Sequence, residues 1–139
     1  MYEVRTIQAK QAYPLRSSVL RPNQDISSCI FKGDKSSSTI HLGVFLKNEI
    51  VAIGSFMPSS KNEVQIRGMA THSNFLEKGL ASKLLIYGEE VFKRQGFQKS
   101  WCNARKTAQG FYLKNNYHIV GEYFEIPNIG QHIVMKKNL

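Results

Sequence analysis

The sequence predicts a mixed α+β fold, and three observations carry that reading. A run with strand character, Glu63 to Thr71, passes through a polar turn into a long amphipathic helix by way of Glu77-Lys78-Gly79-Leu80-Ala81. A further short strand, Phe97 to Cys102, follows that helix, giving one strand–helix–strand unit in mid-chain. Other β-forming runs flank the unit: Thr39 to Lys47 and Ile50 to Met57 before it, Tyr117 to Ile126 and Gly130 to Met135 after it. With no repeat, linker or change of composition, the 139 residues read as one domain, 1–139. A chain of this size buries ~68% of its unfolded surface, enough for a real core.

The elements follow in order. Glu3 to Ile7 alternates as a first strand. Ala9 to Leu20 has a helical pattern that Pro14 is expected to break near Tyr13. Arg21 to Asp25 is a turn, Ile26 to Phe31 is ambiguous, and Gly33 to Ser38 is a loop. The next two strands form a hairpin across Asn48-Glu49. Gly68, inside the third strand of this meander, marks either a bulge or a packing glycine. The helix after Gly79 carries a core stripe of Leu80, Leu84, Tyr87 and Val91, widened by Ala81, Leu85 and Phe92. Gly96, just past Lys93-Arg94, is its stop signal. Asn103 is an expected N-cap for a second helix from Ala104 to about Asn115.

Composition narrows the function. Hydrophobic content of 42% and charged content of 21% are those of a globular protein. Apolar runs are only strand-sized, and MYEVRTIQAK lacks the apolar core of a leader, so a cytoplasmic protein without membrane contact is expected. The net charge of +9 draws anions, but the charges are scattered, so an evenly solvated basic surface explains it as well. Cys29 and Cys102 lack metal-motif spacing, as do His41, His72, His118 and His132, so no metal site is expected. The nucleophile elbow, the nucleotide P-loop and the dinucleotide fingerprint are all missing from the sequence.

What remains is the helix entrance near Gly79. The first N–H groups of a helix lack partners and sit at the positive end of its dipole, a natural place for a phosphate. Around it, Met69-Ala70-Thr71 and Leu76-Glu77-Lys78-Gly79-Leu80-Ala81, followed by Asn103 to Tyr117 with Ala108, Phe111 and Tyr112, resemble the GNAT superfamily of acyl-CoA-dependent N-acetyltransferases. The pair of motifs covers Val64 to about Gly121; Gly79 and Ala81 match the first signature, while Leu76 stands where the family usually has Gln or Arg.

The resemblance implies a mostly antiparallel central sheet with helices on both faces and a splayed strand pair for the coenzyme. It implies acetyl-CoA as co-substrate, with its pyrophosphate on Leu76, Glu77, Lys78, Gly79, Leu80, Ala81 and Ser82. Asn103 and Phe111 would also contact the coenzyme, and Met69, Ala70 and Thr71 would pair with the pantetheine arm. Tyr112 takes the family's general-acid role; a helical tyrosine beside Phe111 is otherwise a core residue. The base stays open among Glu63, His41 and a water chain, while Arg67 and His41 are candidate substrate contacts. The acceptor reads as an amine of a small molecule or protein, bound by a monomer or homodimer, its pocket built from the Tyr13 to Ser38 segment and the last two strands. A non-catalytic acyl-CoA-binding module is the alternative, and a nucleic-acid-binding domain ranks last, with no recognition helix or stacking motif.

Overall fold

The computed structural model describes all residues from Met1 to Leu139. Seven strands form one sheet in the order β1-β2-β3-β4-β5-β7-β6. They are β1 (Tyr2–Ile7), β2 (Ile40–Leu46), β3 (Glu49–Pro58), β4 (Glu63–Thr71), β5 (Lys99–Arg105), β6 (His118–Ile126) and β7 (Gly130–Asn138). Only β4 and β5 run parallel; all other neighbours are antiparallel. The parallel pair needs a crossover, and α2 (Leu80–Arg94) supplies it. α2 packs one face of the sheet and α1 (Ala9–Leu15) the other, while the short α3 (Gln109–Lys114) joins the core on the α2 side.

The α2 contact explains the core. Leu80, Leu84, Leu85 and Phe92 are buried with Leu42, Val44, Phe56, Val64 and Ile66 from the sheet. Tyr87, expected in this stripe, is instead 43% exposed. Gly88 takes the central place, because the Phe56 ring lies directly over its α-carbon. Beyond it, Glu89 of α2 is buried in a polar junction with the sheet. The Tyr117 hydroxyl donates to Glu89 at 2.7 Å and lies 2.7 Å from Ser100 of β5, and Lys137 of β7 pairs with Glu89 at 2.8 Å. The helix ends as expected, with Gly96 at φ 91° and the Phe97 N–H returning to the Phe92 carbonyl.

Several local expectations are corrected. Pro14 does not break the first helix: α1 runs through it and continues as a single π turn, Arg16–Leu20, closed by Arg21 N–H to the Arg16 carbonyl at 3.0 Å. Burial of Ala12 and Leu15 against Ile7, Phe45, Ile53 and Ala70 outweighs the one hydrogen bond that proline forfeits. Ile26–Cys29 forms a 3₁₀ turn. The hairpin turns at Lys47-Asn48, one residue early, with Lys47 in the left-handed region at φ 57°. Asn103 caps no helix; it lies in β5, and α3 starts only after a 3₁₀ turn at Lys106–Ala108. Pairing with Val134 and Ile133 of β7 carries β5 on through Asn103 and Ala104.

A methyl group at Gly88 would lie 2.2 Å from the Phe56 ring. Gly88→Ala should therefore lower stability by about 1–3 kcal/mol despite alanine's better helix propensity. Urea unfolding of the two proteins measures it; a stabilised variant would show that propensity outweighs this contact.

Candidate active site

β4 and β5 pair over only four positions, Glu63↔Lys99 to Ile66↔Cys102, and then separate. β4 stays bonded to β3 as far as Thr71, whereas β5 stays bonded to β7 as far as Arg105. From Arg67 to Thr71, β4 therefore has an edge without a strand partner on its β5 side. The cause is local: the β3–β4 register shifts between Ile53 and Ser55, and Gly68 opposite that shift has φ 66°. This is a bulge, and one extra residue reverses the alternation of side chains. Ile66 and Met69 both pack with the α2-side core, while Arg67 and Ala70 face the α1 side.

The splay opens a cleft of about 360 Å³. Leu76, Ala81, Ala108, Phe111 and Tyr112 line it from the α2 side, and Leu20, Arg21, Phe31, Ile126, Ile129 and His132 from the other segments. The expected coenzyme residues divide accordingly. Met69, Ala70, Thr71, Leu76, Ala81, Asn103 and Phe111 line the cleft with Tyr112 and Arg67. Glu77, Lys78 and Gly79 lie exposed at the rim, Leu80 turns its side chain into the core, and the Ser82 hydroxyl accepts from Asn115 at 3.2 Å. Gly79 caps α2 in the left-handed conformation, φ 74°, and no atom would meet a Cβ there within 4 Å. The N–H groups of Lys78 to Ser82 make no hydrogen bond within the chain, while Lys83 N–H closes the first helical turn on Gly79.

Tyr112 is both core and cleft wall: it is 6% exposed and packs edge-on against Phe111 and Tyr117. Burial first, and the neighbouring Cys102 thiol second, push its pKa well above the usual tyrosine value. Burial likewise pushes the Cys102 thiol up to about 12. The phenol thus holds its proton across the ordinary pH range.

Two candidates fail on position. Glu63 lies at the opposite end of β4, roughly 16 Å of strand before Gly68, paired with Lys136 at 3.3 Å and outside the cleft. It is not placed to serve as the base. His41 is buried away from the cleft with both ring nitrogens engaged, Nδ1 with Ser55 Oγ at 2.6 Å and Nε2 with the Asp34 carbonyl at 2.8 Å. The fold does not bring it to the cleft as a substrate contact or base.

His41 belongs to a buried network that sequence reading missed. Arg16, wholly buried, forks onto Asp34 at 2.7 and 2.9 Å and also reaches the Cys29 carbonyl and Ser55. Its guanidinium lies 4.0 Å from the Phe31 ring centre, and Arg67 lies 4.3 Å from the same ring. Arg21 and Arg105, also unforeseen, both donate to the Leu20 carbonyl, at 3.2 and 2.8 Å. Arg16 and Arg21 stand five apart, the hydrogen-bond span of a π turn, but that spacing of two arginines in a basic chain does not single out the turn.

The matching fold, splayed pair and glycine-entered helix place the chain in a class of acyl-transferring enzymes: it belongs to the acetyltransferase (GNAT) family, whose sequence model matches residues 2–117. It is 39% identical over 145 aligned residues to the uncharacterized N-acetyltransferase YitI of Bacillus subtilis (strain 168), covering all of this chain and 97% of YitI. Among solved structures, Escherichia coli ElaA superposes with a TM-score of 0.83 at 17% identity, over 99% of each chain. A GNAT acetyltransferase from Elizabethkingia anophelis, solved with acetyl-CoA bound, superposes at 0.73 and 16% identity, over 99% of this chain and 98% of that one. These confirm the expected sheet with helices on both faces.

Asp34 gives a pH prediction. Burial alone would raise its pKa, but hydrogen bonds from Arg16 and the Phe31 N–H, with the charges of Arg16 and His41, lower it overall. A folded pKa below the unfolded value of about 3.9 means stability that is present above that pH and lost as pH falls through the folded value. Asp34→Asn, which leaves Arg16 buried and unpaired, should cost about 3–5 kcal/mol at pH 7. Urea unfolding across pH 7 to 3 should show the gap to wild type narrowing below about pH 4; a constant gap would contradict the ion-pair account.

Proposed function

We propose that the protein transfers an acetyl group from acetyl-CoA to a primary amine by direct attack, with Tyr112 as the proton donor. The observation that carries the reading is the splayed β4–β5 cleft, which meets the entrance of α2 on one side and Tyr112 in its wall. Free N–H groups from Lys78 to Ser82 suit the pyrophosphate, aided by the helix dipole, and Leu76 needs no polar side chain for that. The open edge of β4 offers amide partners to the pantetheine, and an N–H near Met69 to Thr71 is available to the thioester oxygen as charge develops on it.

In this reading the neutral amine attacks the thioester carbon, and the tetrahedral intermediate collapses with cleavage of the carbon–sulfur bond. Coenzyme A leaves as a thiolate that takes its proton from the Tyr112 hydroxyl, and the nitrogen loses its extra proton to water. The raised pKa keeps the Tyr112 hydroxyl protonated as a donor for the departing sulfur, and the phenolate left after transfer regains its proton from solvent. Two buried free thiols, Cys29 and Cys102, support a reducing, cytoplasmic setting.

Acetyl-CoA at a hundredfold its Kd should add about 2.7 kcal/mol to stability, read as a higher Tm. Tyr112→Phe should lower kcat about 100-fold or more for an accepted amine, followed as thiol release, with the acetyl-CoA Kd little changed. Unchanged turnover would remove Tyr112 from the chemistry, and no Tm shift at millimolar acetyl-CoA would remove the coenzyme.

A further inference from the structure

We propose that the acceptor is a small amine that also carries a carboxylate or phosphate, and that Arg21, Arg67 and Arg105 hold this anionic group. The inference rests on the acyl-transfer reading and gives its acceptor a chemical class.

Three half-buried guanidiniums line one cleft, and none of them is in an ion pair. The nearby carboxylate, Asp34, is already committed: both of its oxygens accept from Arg16, and one also accepts the Phe31 N–H. No Asp or Glu side chain lines the cleft, so a purely cationic acceptor would meet only like charge. The positive groups are also held in place. Phe31 lies against the guanidiniums of both Arg16 and Arg67, and the Leu20 carbonyl gathers Arg21 and Arg105. The Arg67 guanidinium makes no hydrogen bond or ion pair within the chain and lines the cleft, so its donor fork is available. A planar fork of donors matches the oxygens of a carboxylate or phosphate.

Position separates this cluster from the coenzyme loop. Along β5, Ser100, Cys102 and Ala104 are buried, the latter two in the α2-side core, so Arg105 projects to the opposite face. Arg67 alternates with Ile66 in the same way. The coenzyme's phosphates would sit at the start of α2, on the other side of the sheet. Burial holds all three guanidiniums below the usual arginine value, against a smaller opposing effect of Cys29 at Arg21 and of Asp34 at Arg67. A neighbouring arginine adds to the lowering in each, and a bound anion relieves that strain. The same field disfavours the ammonium form of an approaching amine. The neutral nucleophile is thereby favoured in a cleft that has no carboxylate base.

The test has a binding arm and an activity arm. With coenzyme A saturating, glutarate and inorganic phosphate should bind the wild type, measured by calorimetry, and their affinities should fall at least fivefold in both Arg67→Gln and Arg105→Gln. The acetyl-CoA Kd of folded variants, checked by Tm, should change less than twofold. Thiol release with matched pairs, 4-aminobutyrate against 4-aminobutanamide and aminoethyl phosphate against ethanolamine, should favour the anionic member about tenfold or more. Arg67→Gln should erase that preference, and the better pair tells carboxylate from phosphate. Equal or better use of the neutral amines, or anion affinities that the two variants leave unchanged, would overturn the inference. So would parallel loss of acetyl-CoA affinity, which would assign the arginines to the coenzyme's phosphates. Failure of the wild type to bind acetyl-CoA would overturn the acyl-transfer reading instead, and the same calorimetry run without coenzyme then decides anion binding.

Discussion

The architecture of the cleft depends on one backbone conformation, the left-handed turn at Gly68. Its φ of 66° is strained for any side chain, and a Cβ there would lie 3.1 Å from both Arg16 Nε and the Phe31 ring. The bulge does two things at once. It reverses the alternation of β4, so that Met69 packs over Gly54 while Arg67 faces Phe31. It also lies just beyond the last pairing of β4 with β5, where the two strands separate. A regular strand would place Gly68 and Ala70 on the same face as Ile66 and keep the sheet closed. The buried Arg16–Asp34 pair stands behind the bulge and links the π turn to Ser55 of β3. An ion pair of this kind adds little net stability, but it specifies one arrangement of the segments it joins.

The fold was legible where hydrophobic period and chain punctuation agreed. The meander, the crossover helix and its glycine stop all follow from patterns spanning ten residues or so, and packing had no reason to overrule them. Errors arose where a local rule met a tertiary demand. Pro14 argues for a break, yet Ala12, Leu15 and Arg16 are buried on both sides of it. Asn103 is a good capping residue, yet β7 supplies strand partners on through Arg105. Tyr87 fits the helical stripe, but the Phe56 ring fills that contact and calls for a glycine one position later.

The site divides in the same way. Leu76, Ala81 and Tyr112 come from contiguous motifs with a fixed spacing, and the fold brings these three to the cleft wall. Glu63 and His41 are candidates by chemical type alone, and chemical type does not say which end of a strand or which side of the core a residue occupies. The arginine cluster was invisible for a related reason. Positions 16, 21, 67 and 105 are spread over most of the chain, and a scattered basic composition looks like ordinary solvation. Folding brings the four to one ring and one carbonyl.

Charge placement also bears on how such a cleft would promote the proposed amine attack without a carboxylate nearby. An alkylammonium with a pKa of about 10.4 must be neutral before it becomes a nucleophile. A general base is one solution; lowering the ammonium's own pKa is another. Like charges within a few ångströms shift a pKa in that direction, and a partly buried setting strengthens the effect. An acceptor anchored by its anionic end would bring its amine into this field, with the anchor offsetting the repulsion. Substrate binding and nucleophile activation would then draw on the same guanidiniums, and Tyr112, protonated and on the other side of the splay, would be left to meet the sulfur. In that arrangement each side of the sheet handles one charge problem: developing positive charge at nitrogen on one, developing negative charge at sulfur on the other.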